Sequence, residues 1–178
     1  MHYIEHSNNV ENLRGKSKLE RLSIERVCAG PAVPMLYAFL KSRHPDIKTV
    51  FDESGKAFDE IESKDVIHNG MKQNPDEICR RVVDYFTKIF AVSAGNHAAT
   101  FKPYGGMYLV GGVTTGIQDH ILSSPTFLDN YCNKGRLSQV CKNVPVFIVK
   151  DEACIGLLGA EECAFRILFE KYSLALKE

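Results

Sequence analysis

The 178 residues contain no tryptophan, no Cys-x-x-Cys pair and no excess of either charge, since 22 Lys and Arg face 22 Asp and Glu. That balance argues against a polyanion-binding surface, so nucleic acid is not an expected partner. No stretch approaches the roughly 18 consecutive apolar residues of a membrane span. The opening, MHYIEHSNN, lacks the basic flank and apolar core of a secretory signal. These absences lead to the expectation of a cytoplasmic chain with no membrane partner. With 44% hydrophobic and 25% charged residues, the chain can bury a core, and disorder is excluded. The six cysteines, Cys28, Cys79, Cys132, Cys141, Cys154 and Cys163, are expected to stay reduced, as small packing residues outside any zinc or redox site.

What is present is a series of periodic segments separated by glycine and proline. Residues 1–20 are polar and of mixed charge and predict a poorly ordered opening, with residues 21–178 forming the folded part. Ser23 is placed to cap a short helix, and Pro31 suits the first turn of the next, where Met35, Leu36, Phe39 and Leu40 share a face. Residues 45–62 read as a solvated loop or short helices. Asn74-Pro75-Asp76-Glu77 predicts the start of a long buried helix, with Asn74 as cap and Pro75 in the first turn. Ile78, Val82, Phe86, Ile89 and Phe90 recur along it to about Ala99. Met107–Val110 and Val144–Val149 read as strands, the second apolar enough to be covered on both faces. Between them Ile117, Ile121 and Leu122 suggest a short helix capped by a threonine, and Gly156–Ala160 opens a closing helix to about Tyr172. The order is that of an α/β fold, with glycines where strands pass into helices, which is where such folds bind ligands.

Three features could carry chemistry. Gly111-Gly112, between a strand and a helix, would let backbone approach a ligand; a tight turn would also need glycine there. Neither a G-x-G-x-x-G nor a G-x-x-x-x-G-K-[ST] cradle is present. Glu25 lies among apolar residues before Gly30-Pro31; taken alone, it reads as an exposed helix charge or a partner of Arg21 or Arg26. His2-Tyr3-Ile4-Glu5-His6 matches a zinc pattern in letters, but it sits at the chain terminus without a third ligand, so no metal site is assigned. His44, His68, His97 and His120 are too scattered to suggest a cluster, and no G-x-S-x-G elbow occurs.

Taken in order, the segments resemble the bacterial-type glucokinases from about residue 19 to residue 170. Leu22-Ser-Ile-Glu-Arg-Val-Cys-Ala-Gly-Pro31 resembles their segment with a sugar-binding glutamate, and Phe101-Lys-Pro-Tyr-Gly-Gly-Met-Tyr-Leu-Val-Gly-Gly-Val113 their adenosine motif. Asn133-Lys-Gly-Arg-Leu137 resembles their Lys-Gly-Arg-Phe. Val144–Val149 followed by Gly156-Leu-Leu-Gly-Ala160 resembles their last strand and helix, and residues 75–99, with Asn96, their connecting helix.

The resemblance implies an α/β fold, most of the C-terminal lobe of an actin-like (ribonuclease H-like) sugar kinase. It implies Glu25 as ligand to glucose hydroxyls, with Gly111, Gly112, Val113 and Thr114 at the adenosine of ATP and Thr115 nearby. The implied reaction is phosphorylation of D-glucose by Mg-ATP to glucose 6-phosphate in glycolysis, by a homodimer when the enzyme is complete. Ile155 stands where the family usually has proline, and Ala32 where it often has glycine.

The family's D-x-G-x-T phosphate loop, its Asn-Asp pair with the catalytic base, its second Gly-Thr loop and its Gly-Glu-x-x-His sugar motif do not occur. No catalytic residue is therefore assigned, and the chain alone is expected to be an inactive fragment that exposes apolar surface and self-associates. The alternatives are a non-catalytic nucleotide-binding or assembly module derived from a sugar kinase, and a kinase of another hexose.

Overall fold

A computed structural model describes residues 23–150 and 155–175. The terminal histidine motif, the 1–20 segment and Cys154 lie outside the described residues. The helices are α1 (Ala32–Arg43), α2 (Val50–Ser54), α3 (Ser63–Met71), α4 (Glu77–Phe101), α5 (Gly112–Gly116), α6 (Gln118–Ser123), α7 (Thr126–Cys132), α8 (Ser138–Lys142) and α9 (Ile155–Ala175). Single 3₁₀ turns occur at Ile24–Arg26, Phe58–Glu60 and Gly135–Leu137. Two short strands, β1 (Met107–Leu109) and β2 (Val146–Ile148), pair in parallel with Tyr108 opposite Phe147. The α/β expectation therefore holds in a coarser form: the domain is mostly helical with a small parallel sheet.

Helix α4 is the hub. Ile78, Cys79, Val82, Val83, Phe86, Ala91, Ala94 and Ala98 are buried along one stripe at helical spacing. Helices α1, α3, α7 and α8 pack on it. Two glycines set the approach of its neighbours. A side chain at Gly95 would collide with the backbone carbonyl of Tyr131 in α7, and one at Gly70 of α3 would meet the Cys79 carbonyl at 2.7 Å. Phe90 reaches Phe127 edge-on, with ring centroids 6.0 Å apart, and Lys134 Nζ donates to the Val92 carbonyl at 3.0 Å.

The start of α4 corrects the expected cap. Asp76, rather than Asn74, is the capping residue: one of its carboxylate oxygens accepts from Cys79 N at 2.9 Å and the other from Val50 N at 2.9 Å. An ionised carboxylate serves two backbone donors here, tying α2 to α4, and Pro75 sits before the cap instead of in the first turn. Pro31 stands at the start of α1 as expected, whereas Ser23 precedes one 3₁₀ turn and makes no side-chain cap bond.

The sheet departs from expectation as well. β2 spans Val146–Ile148 rather than 144–149, and it is not covered on both faces: Phe147 is 44% and Tyr108 60% exposed, their rings stacked 5.0 Å apart. Every residue of α9 whose burial is described is exposed except the half-buried Ile155. Among the described residues the cysteines are all free thiols, and no helix is long and apolar enough to cross a membrane.

Candidate sugar and nucleotide site

Glu25 is carried by the 3₁₀ turn Ile24–Arg26, which closes when Val27 N and Cys28 N both donate to the Ile24 carbonyl. The chain then turns through Ala29–Pro31 into α1, and the Ser63 hydroxyl of α3 donates to the Gly30 carbonyl, fixing the turn. Glu25 is exposed, and no ion pair or hydrogen bond of its carboxylate is found among the described residues; Arg21, one of its two expected partners, lies outside them. It lines a groove of about 540 Å³ with Cys28, with Ser93 and His97 of α4, and with Tyr108 and Val110 at β1. Burial pushes the Cys28 thiol up, with a hydrogen bond from Ser93 opposing the shift, so Cys28 is no thiolate nucleophile at neutral pH.

Where β1 ends, Gly111 adopts φ 114° and ψ 151°, a conformation that side-chain-bearing residues avoid, and α5 begins at Gly112. This glycine, not a threonine, occupies the capping position, which corrects the expected threonine cap; Ile117 precedes α6 in the same way. Thr114 is buried and its hydroxyl donates to the Val110 carbonyl at 3.2 Å, holding the turn to the strand. Val113 lies beside Gly30, so the Glu25 segment and the double-glycine turn are neighbours. A side chain at Gly112 would meet nothing within 4 Å, whereas one at Gly116 would come to 3.0 Å from Ile67. Gly112 and Gly116 form one wall of a second groove, of about 350 Å³, whose other wall is Lys64, Ile67, His68 and Met71 of α3 with Lys72 just past its end.

The sequence reading passed over this α3 wall. Its signal was Lys64 and His68, four positions apart and so on one helical face, with Lys72 following at the helix end. His97 was likewise set aside, although it stands four residues from both Ser93 and Phe101. Among the described residues, no three His, Cys, Asp or Glu side chains gather into a metal-holding group. The described chemistry is that of binding: an exposed carboxylate in a groove, and a bare backbone turn beside a basic, apolar-floored slot.

A sequence profile described as Glucokinase matches residues 7–166. The chain belongs to the bacterial glucokinase family. It is 31% identical over 164 residues to a glucokinase of Nostoc punctiforme, covering 87% of this chain and 48% of that protein. A glucokinase of Marinobacter nauticus is 30% identical over 147 residues, covering 83% of this chain and 42% of its own length. The chain thus spans about half the length of the curated relatives it matches. The fold matches a crystal structure of glucokinase from an Antarctic psychrotroph with a TM-score of 0.60 at 23% identity, over 88% of this chain and 44% of that one.

Proposed function

We propose that the chain forms most of the C-terminal lobe of an actin-like sugar kinase and supplies the sugar-side carboxylate and the adenosine wall of a cytoplasmic, glycolytic glucokinase. In that enzyme the γ-phosphoryl group of Mg-ATP passes to the 6-hydroxyl of D-glucose: the bond from phosphorus to ADP breaks as the bond to O6 forms. The hydroxyl proton goes to a general base that we place outside these residues. Mg²⁺ would be supplied with ATP and would offset phosphate charge; none of the described residues is assigned to hold it. Glu25, an acceptor-only carboxylate, suits several sugar O–H donors. Gly111, Gly112 and Val113 pass beneath the adenosine, with Thr114 keeping the turn in shape. Lys64 and Lys72 sit where their positive charge attracts the nucleotide, with His68 beside them in the same groove. The complete enzyme is a homodimer in this reading.

The observation that carries this reading is the position of Glu25: exposed, in a groove that runs along β1 to the end where Gly111-Gly112 turns. Calorimetric titration of the purified chain with D-glucose and with ATP tests it. Glu25→Gln is expected to abolish glucose binding. Gly112→Ala is expected to weaken ATP binding without lowering the melting temperature, because no protein atom lies within 4 Å of the added Cβ. Two variants that bind both ligands as the wild type does would sink the proposal. In a coupled ADP-release assay the chain alone is expected to give no turnover; robust turnover lost in Glu25→Gln would overturn the inactivity and keep the sugar role.

A further inference from the structure

The groove that holds Glu25 has a second polar group, on the α4 side. His97 Nδ1 lies 2.8 Å from the Ser93 carbonyl oxygen. A carbonyl only accepts, so Nδ1 carries the proton, and in the neutral ring Nε2 is left with its lone pair. The imidazole is held in plane by Phe101, whose ring stacks on it at 6.1 Å and 23°. Tautomer and orientation are therefore both set by residues one helical turn away on either side. The other histidines among the described residues are occupied elsewhere: His44 meets Arg81, His120 meets Arg80 and Asp84, and His68 faces the α3 groove. Tyr108 adds an exposed aromatic ring to the His97 groove, backed by Phe147.

We propose that His97 is a second sugar-binding residue, accepting a hydrogen bond from a hexose hydroxyl at Nε2 while Glu25 accepts from others in the same groove. This rests on the reading of that groove as a glucose site. Two acceptors and an aromatic wall match a ring that presents hydroxyl donors along its rim and C–H groups on its face. A single carboxylate would fix the sugar at one edge only; a second acceptor on a different element adds an orientation constraint, and each hydrogen bond of this kind contributes modestly to affinity.

The test uses the whole chain with ¹³C-labelled histidine rings, titrated with D-glucose and followed by NMR, with calorimetry in parallel. The His97 ring signals are expected to shift saturably, with the same midpoint as the calorimetric binding. His97→Phe keeps the stack on Phe101 and removes the acceptor, and is expected to weaken glucose binding about 3- to 10-fold; His97→Gln, which keeps an acceptor, is expected to recover part of that loss. If glucose binding is abolished by Glu25→Gln but unchanged in His97→Phe, with no movement of the His97 signals, this inference is overturned and the glucose reading stands. If the wild-type chain gives neither saturable heat nor shift, the glucose reading fails and takes this inference with it.

Discussion

Large apolar side chains occur both in the helices gathered on α4 and in the sheet and α9, yet many of them end in opposite environments. Around α4, Ile78, Val82, Phe127 and Tyr131 are almost wholly buried. In α9, Leu157, Leu158, Phe165, Ile167, Leu168 and Phe169 are all more than half exposed, and the outer face of the sheet shows Tyr108 and Phe147. Apolar periodicity selects a helix in both places, but burial needs a facing layer, and only α4 has one on several sides. The helical hub is thus the folding unit among the described residues. Among the described residues, α9 and the outer face of the sheet each expose large apolar side chains.

The largest effect should come from making one substitution in both regions. Phe127, 1% exposed, sits under α4, so Phe127→Ala should cost about 3–5 kcal/mol in urea denaturation. Phe165, 66% exposed, should give Phe165→Ala a change within about 0.5 kcal/mol. Equal costs at the two sites would mean that α9 is packed in solution, which would break the contrast.

Glycine replacement reverses sign across the same divide. Gly95→Ala forces a carbon against the Tyr131 carbonyl and should destabilise by about 1–3 kcal/mol. Gly159 in α9 has nothing within 4 Å of an added carbon, so Gly159→Ala should raise helicity and stabilise by up to about 1 kcal/mol. Thermal melts of the two variants against wild type check the signs. Smaller again, Asp76→Ala removes the α4 cap and the bond to Val50 N, and should cost about 1–2 kcal/mol by chemical denaturation. Asn74→Ala should be neutral in the same measurement.

These contrasts also explain what could be read from the sequence. Helix α4 was legible because its periodicity is long and its core positions need no knowledge of partners. The choice of Asp76 over Asn74 was not, because it depends on Val50, which approaches from a distant part of the chain. The apolar run at 144–149 reads as a strand covered on both faces, but whether a second layer arrives is a property of the assembly. At the candidate site, the expected glycine-dependent turn agrees with φ 114° at Gly111, whereas a role for Glu25 rests on the family resemblance alone. The burial of Thr114 and the locked ring of His97 follow from contacts with the Val110 and Ser93 carbonyls. Composition and spacing do not encode those contacts.

The smallest effect is a pH dependence at the edge of the helical hub. His120, 5% exposed, sits on α6, just beyond the double-glycine turn and α5, and faces α4. Arg80 Nη2 lies 3.1 Å from its Nδ1; a guanidinium only donates, so Nδ1 must be the unprotonated acceptor and Nε2 carries the hydrogen. Nε2 is 3.0 Å from Asp84 Oδ1, a polar contact without good hydrogen-bond alignment, and Arg80 Nε pairs with that carboxylate at 3.4 Å. Protonating the ring would set a second positive charge against Arg80 and forfeit the Nδ1 bond. Burial first, and Arg80 second, accordingly hold the His120 pKa below its ordinary 6.5, with Asp84 opposing them. A group whose folded pKa is depressed takes up protons more readily when unfolded, so this stabilisation is present above pH 6.5 and is lost as pH falls from there through the folded value. Between pH 7.5 and 5.5 the wild-type melting temperature should therefore drop more than that of His120→Gln, which cannot titrate. Parallel curves for the two proteins would show that the Arg80–His120–Asp84 contact does not hold α6 to α4.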